Sequence, residues 1–184
     1  MWAYIICAVI WVAIIFGWII PVVRVHQFYE IYMACGIGIF FSLIVLGLMV
    51  WKEDQVAPVA YLGCVLYVPA AALVASSFIS LKRKGKPQSG WEPTTMLIDS
   101  GVYRVVRHPL YLGSATFTVG IMLIVQSIPS TVLGLVAIFC FWMVSRKEDK
   151  FNVDKFGDAY RQYMRKVPAW NVFKVLFARR GNHG

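Results

Sequence analysis

Charge is what this chain is short of. Between Met1 and Val23 there is no charged side chain, and over all 184 residues only 15% are charged against 59% hydrophobic. So high an apolar fraction excludes an ordinary soluble domain and selects a polytopic membrane protein. The first run is long enough to cross a hydrocarbon layer of about 30 Å. It lacks a basic leading segment and a small-residue cleavage site, which predicts a retained helix and not a signal peptide. Paired cysteines are lacking as well. Cys7, Cys35, Cys64 and Cys140 each lie in an apolar run, with no Cys-x-x-Cys and no histidine at ligand spacing. They read as small buried hydrophobes, so neither a disulfide frame nor a metal site is expected. No Ser-His-Asp or Cys-His arrangement is found, so no nucleophilic side chain is indicated.

The charges that do occur are gathered in two places. Lys82 to His108 holds Lys82, Arg83, Lys84, Lys86, Arg104 and Arg107 against Glu92 and Asp99, and the tail from Arg146 holds ten basic residues and four acidic ones. Only Arg24 and Lys52 lie elsewhere, within a net charge of +9. Basic residues confined to two polar stretches of a membrane protein mark cytoplasmic segments that attract anionic lipid. The partner implied is the lipid bilayer; a chain this apolar is a poor match for nucleic acid.

Five apolar runs are predicted to span: Met1 to Val23, Ile31 to Trp51, Val56 to Leu81, Leu110 to Gln126 and Ser130 to Ser145. The expected fold is all-α integral membrane, with five transmembrane helices, a C-terminal helical hairpin and an amphipathic cytoplasmic tail. Residues 1–81 form an N-terminal three-helix region and 82–184 a C-terminal region. The N-terminus is expected outside and the C-terminus in the cytoplasm. Ala34, Gly38 and Ser42 give the second span a face of small side chains for close packing. Pro21 is expected to end or kink the first helix, and Pro69 to kink the third. Trp91 is equally an interfacial anchor or a wall of a site. The last two runs are short and joined by Ser127-Ile128-Pro129, so the hairpin brings Arg107-His108 and Arg146 to Asp149 to one membrane face. Gly157-Asp158 is placed to stop one helix and cap the next, and the aromatic residues after Phe151 suit an interfacial helix.

Gly101-Val-Tyr-Arg-Val-Val-Arg-His-Pro-Leu-Tyr-Leu-Gly113 joins the longest polar stretch to an apolar run. Ionisable groups at the edge of hydrocarbon are costly, which makes them candidates for function. Proline fits the first turn of a helix and pushes the preceding residue to an extended conformation. A helix therefore starts at Pro109 or Leu110, with Arg107 and His108 just outside its N-terminus, where free N–H groups seat an anion. Arg104 alone reads equally well as a lipid anchor.

Gly101-x-Tyr-x-x-x-Arg-His-Pro-x-Tyr-x-Gly113 resembles the signature of the isoprenylcysteine carboxyl methyltransferase and phospholipid methyltransferase superfamily. Glu148-Asp149, followed by Phe156-Gly157, Tyr160 and Tyr163, is similar to its second motif, in which the acidic pair is usually Glu-Glu. The two motifs cover roughly the C-terminal half of the chain. The resemblance implies a membrane methyltransferase using S-adenosylmethionine on a small lipophilic acceptor, with the carboxylate, amine or thiol nature of that acceptor left open. It implies cofactor contacts from Tyr103, Arg107, His108, Tyr111, Glu148 and Asp149. Catalytic roles fall to Arg146 and Glu148: Arg146, or Arg104, would hold an acceptor carboxylate, whereas Glu148 or Asp149 would take a proton from an amine or thiol. Adjacent residues on a helix point about 100° apart, so Glu148 is expected to carry the contact without Asp149. Asp149→Asn is then expected to leave most of the methyl transfer. Two other readings are an NADPH-dependent reductase of the membrane steroid-reductase type, which the acidic pair suits less well, and a non-catalytic scaffold. The expected location is a multi-pass protein of the cytoplasmic membrane in a bacterium, or of the endoplasmic reticulum in a eukaryote, with its site facing the cytoplasm.

Overall fold

The computed structural model describes residues 1–51, 55–84 (Lys84 by its backbone alone) and 96–171. The turn at 52–54, the loop holding Lys86 and Trp91, and the tail from 172 lie outside them. Among the described residues every regular element is helical. α1 (Trp2–Ile14) passes through a π turn (Ile15–Ile19) into α2 (Ile20–Arg24), followed by α3 (Glu30–Met49) and α4 (Ala57–Lys84). A 3₁₀ turn (Gly101–Arg104) leads to α5 (Pro109–Val125), α6 (Ile128–Phe156) and α7 (Asp158–Lys166).

Four helical stretches, Trp2–Arg24, Glu30–Met49, Ala57–Arg83 and Ile128–Phe156, are long and apolar enough to cross a membrane. This is an all-α, multi-pass membrane protein. The expected fifth span is present as α5, a shorter apolar helix of 17 residues. At 1.5 Å per residue it is about 26 Å long, slightly less than the hydrocarbon thickness. Val9, Phe16, Val65, Val68, Leu135 and Phe139 are exposed. On membrane helices such residues meet acyl chains, so their exposure costs nothing.

Pro21 does not end its helix, which continues to Arg24. Its ring has no N–H and crowds the carbonyl four residues back, at Gly17. The π turn Ile15–Ile19 widens the helix at that place and absorbs the misfit, and the helix continues to Arg24.

α1 packs on α3, α3 on α6 and α5, α6 on α5, and α5 on α4. The N-terminal helices therefore interleave with the C-terminal hairpin. Small residues set these approaches. On α3, Ala34, Gly38 and Ser42 are buried, and a Cβ on Gly38 would lie 3.0 Å from Trp11 and Ile14. Trp11 Nε1 donates to Ser42 Oγ at 3.1 Å across the same contact. α4 and α5 approach backbone to backbone, since a Cβ on Gly63 would lie 2.5 Å from the Gly120 carbonyl oxygen.

At the far end of the hairpin, Gln126 takes a left-handed conformation and ends α5. Its amide accepts from Val56 N–H (2.9 Å) and donates to Val56 C=O (3.1 Å), which ties the hairpin to the start of α4. Ser127 and Ser130 then form a reciprocal capping box that opens α6. α6 does not stop at Ser145, where charge begins. It runs on to Phe156 and ends at Gly157, whose φ of 60° favours glycine. That continuation and α7, which buries Tyr160 and Tyr163, enclose the end of the bundle where the two motifs meet.

Candidate active site

His108 caps α5 at φ −120°, ψ 60°, outside the helical region as its place before Pro109 requires, but short of the extended conformation expected. The chain beyond α7 returns alongside it. Arg107 N–H donates to Pro168 C=O (2.9 Å) and His108 N–H to Ala169 C=O (3.3 Å). Both side chains are buried and both turn toward α6. Arg107 Nη2 donates to Asp149 Oδ2 at 3.0 Å, while Nη1 donates to Met164 C=O (2.9 Å) and Val167 C=O (2.6 Å). His108 Nε2 meets Asp149 Oδ1 at 2.8 Å, and Tyr160 donates its hydroxyl to the same oxygen at 2.7 Å. Asp149 is thus the hub of a buried network with three donors on two oxygens.

Glu148 stands one residue earlier and so faces another way. Its side chain is 30% exposed against 6% for Asp149, and Oε2 lies 3.6 Å from His108 Nδ1. Burial opposes the charge on His108, but the hydrogen bonds and charges of Asp149 and Glu148 outweigh it and push the imidazole up to about 9. The ring is thereby held toward its protonated form, with Nε2 on Asp149 and Nδ1 facing Glu148. Its face stacks on Tyr111, with centroids 5.6 Å apart. Tyr160 is pushed well above the usual phenol range by burial and then by the Asp149 charge, which keeps its hydroxyl a donor. Tyr163 donates to the Tyr103 carbonyl and so fixes the 3₁₀ turn.

A cavity of about 930 Å³ opens beside this network. That volume lies near the top of the range usual for small-ligand sites. Its polar wall includes Glu30, Tyr103, His108, Tyr111 and Glu148, and its apolar wall includes Trp18, Val22, Met33, Phe151 and Phe156. The first turn of α5, Pro109 to Tyr111, also borders it.

Of the residues expected to act here, Tyr103, Arg107, His108, Tyr111 and Glu148 border the cavity, and Arg104, Arg146 and Asp149 do not. Arg146 is exposed and lies about 200° around α6 from Glu148, so the geometry does not support its role in holding an acceptor. Arg107 touches the cavity, yet its terminal nitrogens are engaged by Asp149 and by two carbonyls at the end of α7. It reads as a positioning residue and not as an anion receptor. Asp149 is no bystander either: set off the cavity, it holds the wall in place.

Sequence reasoning missed Glu30 and Trp18, which come from the N-terminal helices. The available signal was Glu30 itself, the lone acidic residue ahead of Glu53 and placed at the edge of an apolar run.

Fold and site together define a multi-pass helical membrane protein with a partly acidic cavity at one end of its bundle. The phospholipid methyltransferase family matches residues 59–159, and the chain belongs to it. The protein-S-isoprenylcysteine O-methyltransferase of Schizosaccharomyces pombe is 33% identical over 75 residues, covering 40% of this chain. The match spans 32% of that relative's length. No solved structure matches significantly.

Proposed function

We propose that this chain is a membrane methyltransferase that uses S-adenosylmethionine and acts on a lipid-like acceptor. The observation that carries the reading is the split of the acidic pair: Asp149 locks Arg107 and His108 into a fixed wall, while Glu148 stays open to the cavity. The residues present suit the cofactor. Its ammonium and sulfonium suit a carboxylate such as Glu148 in a half-dry site, where an ionised carboxylate needs a cationic partner. Its carboxylate suits the N-terminal end of α5. Tyr103, Tyr111, Phe151 and Phe156 offer aromatic faces to the cationic and planar parts.

When bound, the sulfonium supplies an electrophilic methyl group with a good leaving group already attached. The protein's own part is alignment and exclusion of water. Glu148 orients one end, the Tyr103 and Tyr111 walls restrict the other, and the Asp149 network keeps His108 and Glu148 in register. No nucleophilic side chain is required. The apolar wall from Trp18 to Phe156 suits a lipophilic acceptor. The cavity is assigned to the cytoplasmic face, because Arg24, Lys82, Arg83, Arg104 and Lys147 all lie at its end of the bundle.

Calorimetric titration of the purified protein with S-adenosylhomocysteine and with NADPH tests the reading. Binding of the first and not the second is expected. Binding of NADPH alone would overturn it in favour of a reductase.

A further inference from the structure

One cavity-facing carboxylate has no task in the reading above. Glu30 lies outside the 59–159 segment that matches the family and is brought in by the N-terminal helices. The chain leaves α2, turns through His26 at φ 57° and begins α3 at Glu30, which sets this carboxylate on the cavity wall. Trp18, in the π turn, lines the same wall beside it. Tyr29, its neighbour in sequence, packs on Phe151 with ring centroids 5.2 Å apart. Glu30 is therefore half-buried among aromatic groups and close enough to Glu148 to feel its charge.

Two carboxylates that share a semi-dry cavity repel each other and gain from any cation placed between them. Among the described residues, the cations on the wall are Arg107 and His108. The terminal nitrogens of Arg107 are held by Asp149, Met164 and Val167, and its Nε is sealed from solvent. Both ring nitrogens of His108 face carboxylates. Among the described residues, no cationic side chain on this wall is left over to hold an anionic acceptor. We propose, resting on the function assigned above, that Glu30 is a specificity-determining residue on the acceptor side. It admits lipophilic molecules with a positively charged end and rejects those that end in a carboxylate.

The probes are dodecylamine and dodecanoate, titrated at pH 8 into the protein in zwitterionic-lipid nanodiscs and followed by tryptophan fluorescence. S-adenosylhomocysteine affinity is measured alongside. The wild type is expected to prefer the amine by about tenfold or more, the scale of one charge in a half-buried site. Glu30→Gln is expected to collapse that preference to within about threefold, Glu30→Asp to retain most of it, and both to keep S-adenosylhomocysteine affinity within about twofold. Equal binding of the two probes by the wild type overturns the proposal whatever the variants do. So does an unchanged preference in Glu30→Gln, or its loss in Glu30→Asp. If the wild type binds no S-adenosylhomocysteine, the methyltransferase reading falls and takes this one with it; if it binds the cofactor product but ignores probe charge, this proposal alone falls.

Discussion

Asp149→Asn removes one charge and one hydrogen-bond acceptor from a side chain that three buried donors share. In the native site, Oδ2 faces Arg107 Nη2 at 3.0 Å, and Oδ1 faces both His108 Nε2 at 2.8 Å and Tyr160 OH at 2.7 Å. Every neighbour is a donor, so an amide group placed on either side confronts a donor with a donor. Two buried cations then lose the carboxylate they share, and Glu148 lies 3.6 Å from His108 and is partly exposed. Breaking one member of a buried charged network costs about 3–5 kcal/mol. For a chain of this size that lowers the thermal midpoint by about 6 °C or more. The expectation from sequence alone, that this substitution is mild, is thereby reversed. Glu148→Gln is the matched control. It should keep the midpoint within about 2 °C, because Glu148 is 30% exposed where Asp149 is 6%, so its loss is offset by solvent, but weaken S-adenosylhomocysteine binding by about 2–3 kcal/mol. The assay is differential scanning fluorimetry in detergent paired with calorimetry. The reasoning is refuted if Asp149→Asn melts like the wild type while Glu148→Gln is the destabilised one.

Stability should also depend on pH through His108. Its folded value of about 9 stands above the ordinary 6.5, so its contribution is complete below pH 6.5 and is lost as pH rises through 9. The difference amounts to about 3 kcal/mol. Melting midpoints between pH 6 and pH 10 should fall over this window in the wild type and much less in His108→Gln. Arg107→Lys should cost about 2–4 kcal/mol, because one ammonium cannot reach Asp149 and two carbonyls in the guanidinium's geometry. Hydrogen exchange at residues 164–167 should rise with it. Gly63→Ala should lower the thermal midpoint, since its Cβ meets a carbonyl oxygen at 2.5 Å and overpacking of this kind costs about 1–3 kcal/mol. An unchanged midpoint would mean that α4 and α5 separate freely.

The positions of the membrane helices were legible because hydrocarbon tolerates so few charges that the uncharged runs delimit themselves. Pro109 marked the start of α5 for a local steric reason, and Gly157 marked the end of α6. The length of α6 was not legible. Arg146 looks like the end of a membrane segment, but a helix needs no hydrocarbon to continue, and residues 146–156 follow the same axis. The nearness of Arg107 and His108 to the acidic pair followed from a tight hairpin. What each side chain does there depended on partners far along the chain. The carbonyls of Met164 and Val167, 57 and 60 residues from Arg107, occupy its guanidinium, and no local pattern announces that. Glu30 escaped notice for the same reason, because only the packing of α3 on α6 and of α2 beside it carries that carboxylate to the cavity.

α6 is a single rod of 29 residues, about 44 Å long. One end is pinned by the Ser127–Ser130 cap, and its far third carries Glu148 and Asp149 beyond the reach of α5, which is about 18 Å shorter. A rod passes on displacement without damping. If the bilayer thins or thickens around the hairpin, the tilt that restores the match at the capped end swings the acidic end through an arc, while His108 rides on the shorter α5. The thickness of the host membrane thus becomes a mechanical load on the bond by which Asp149 holds His108.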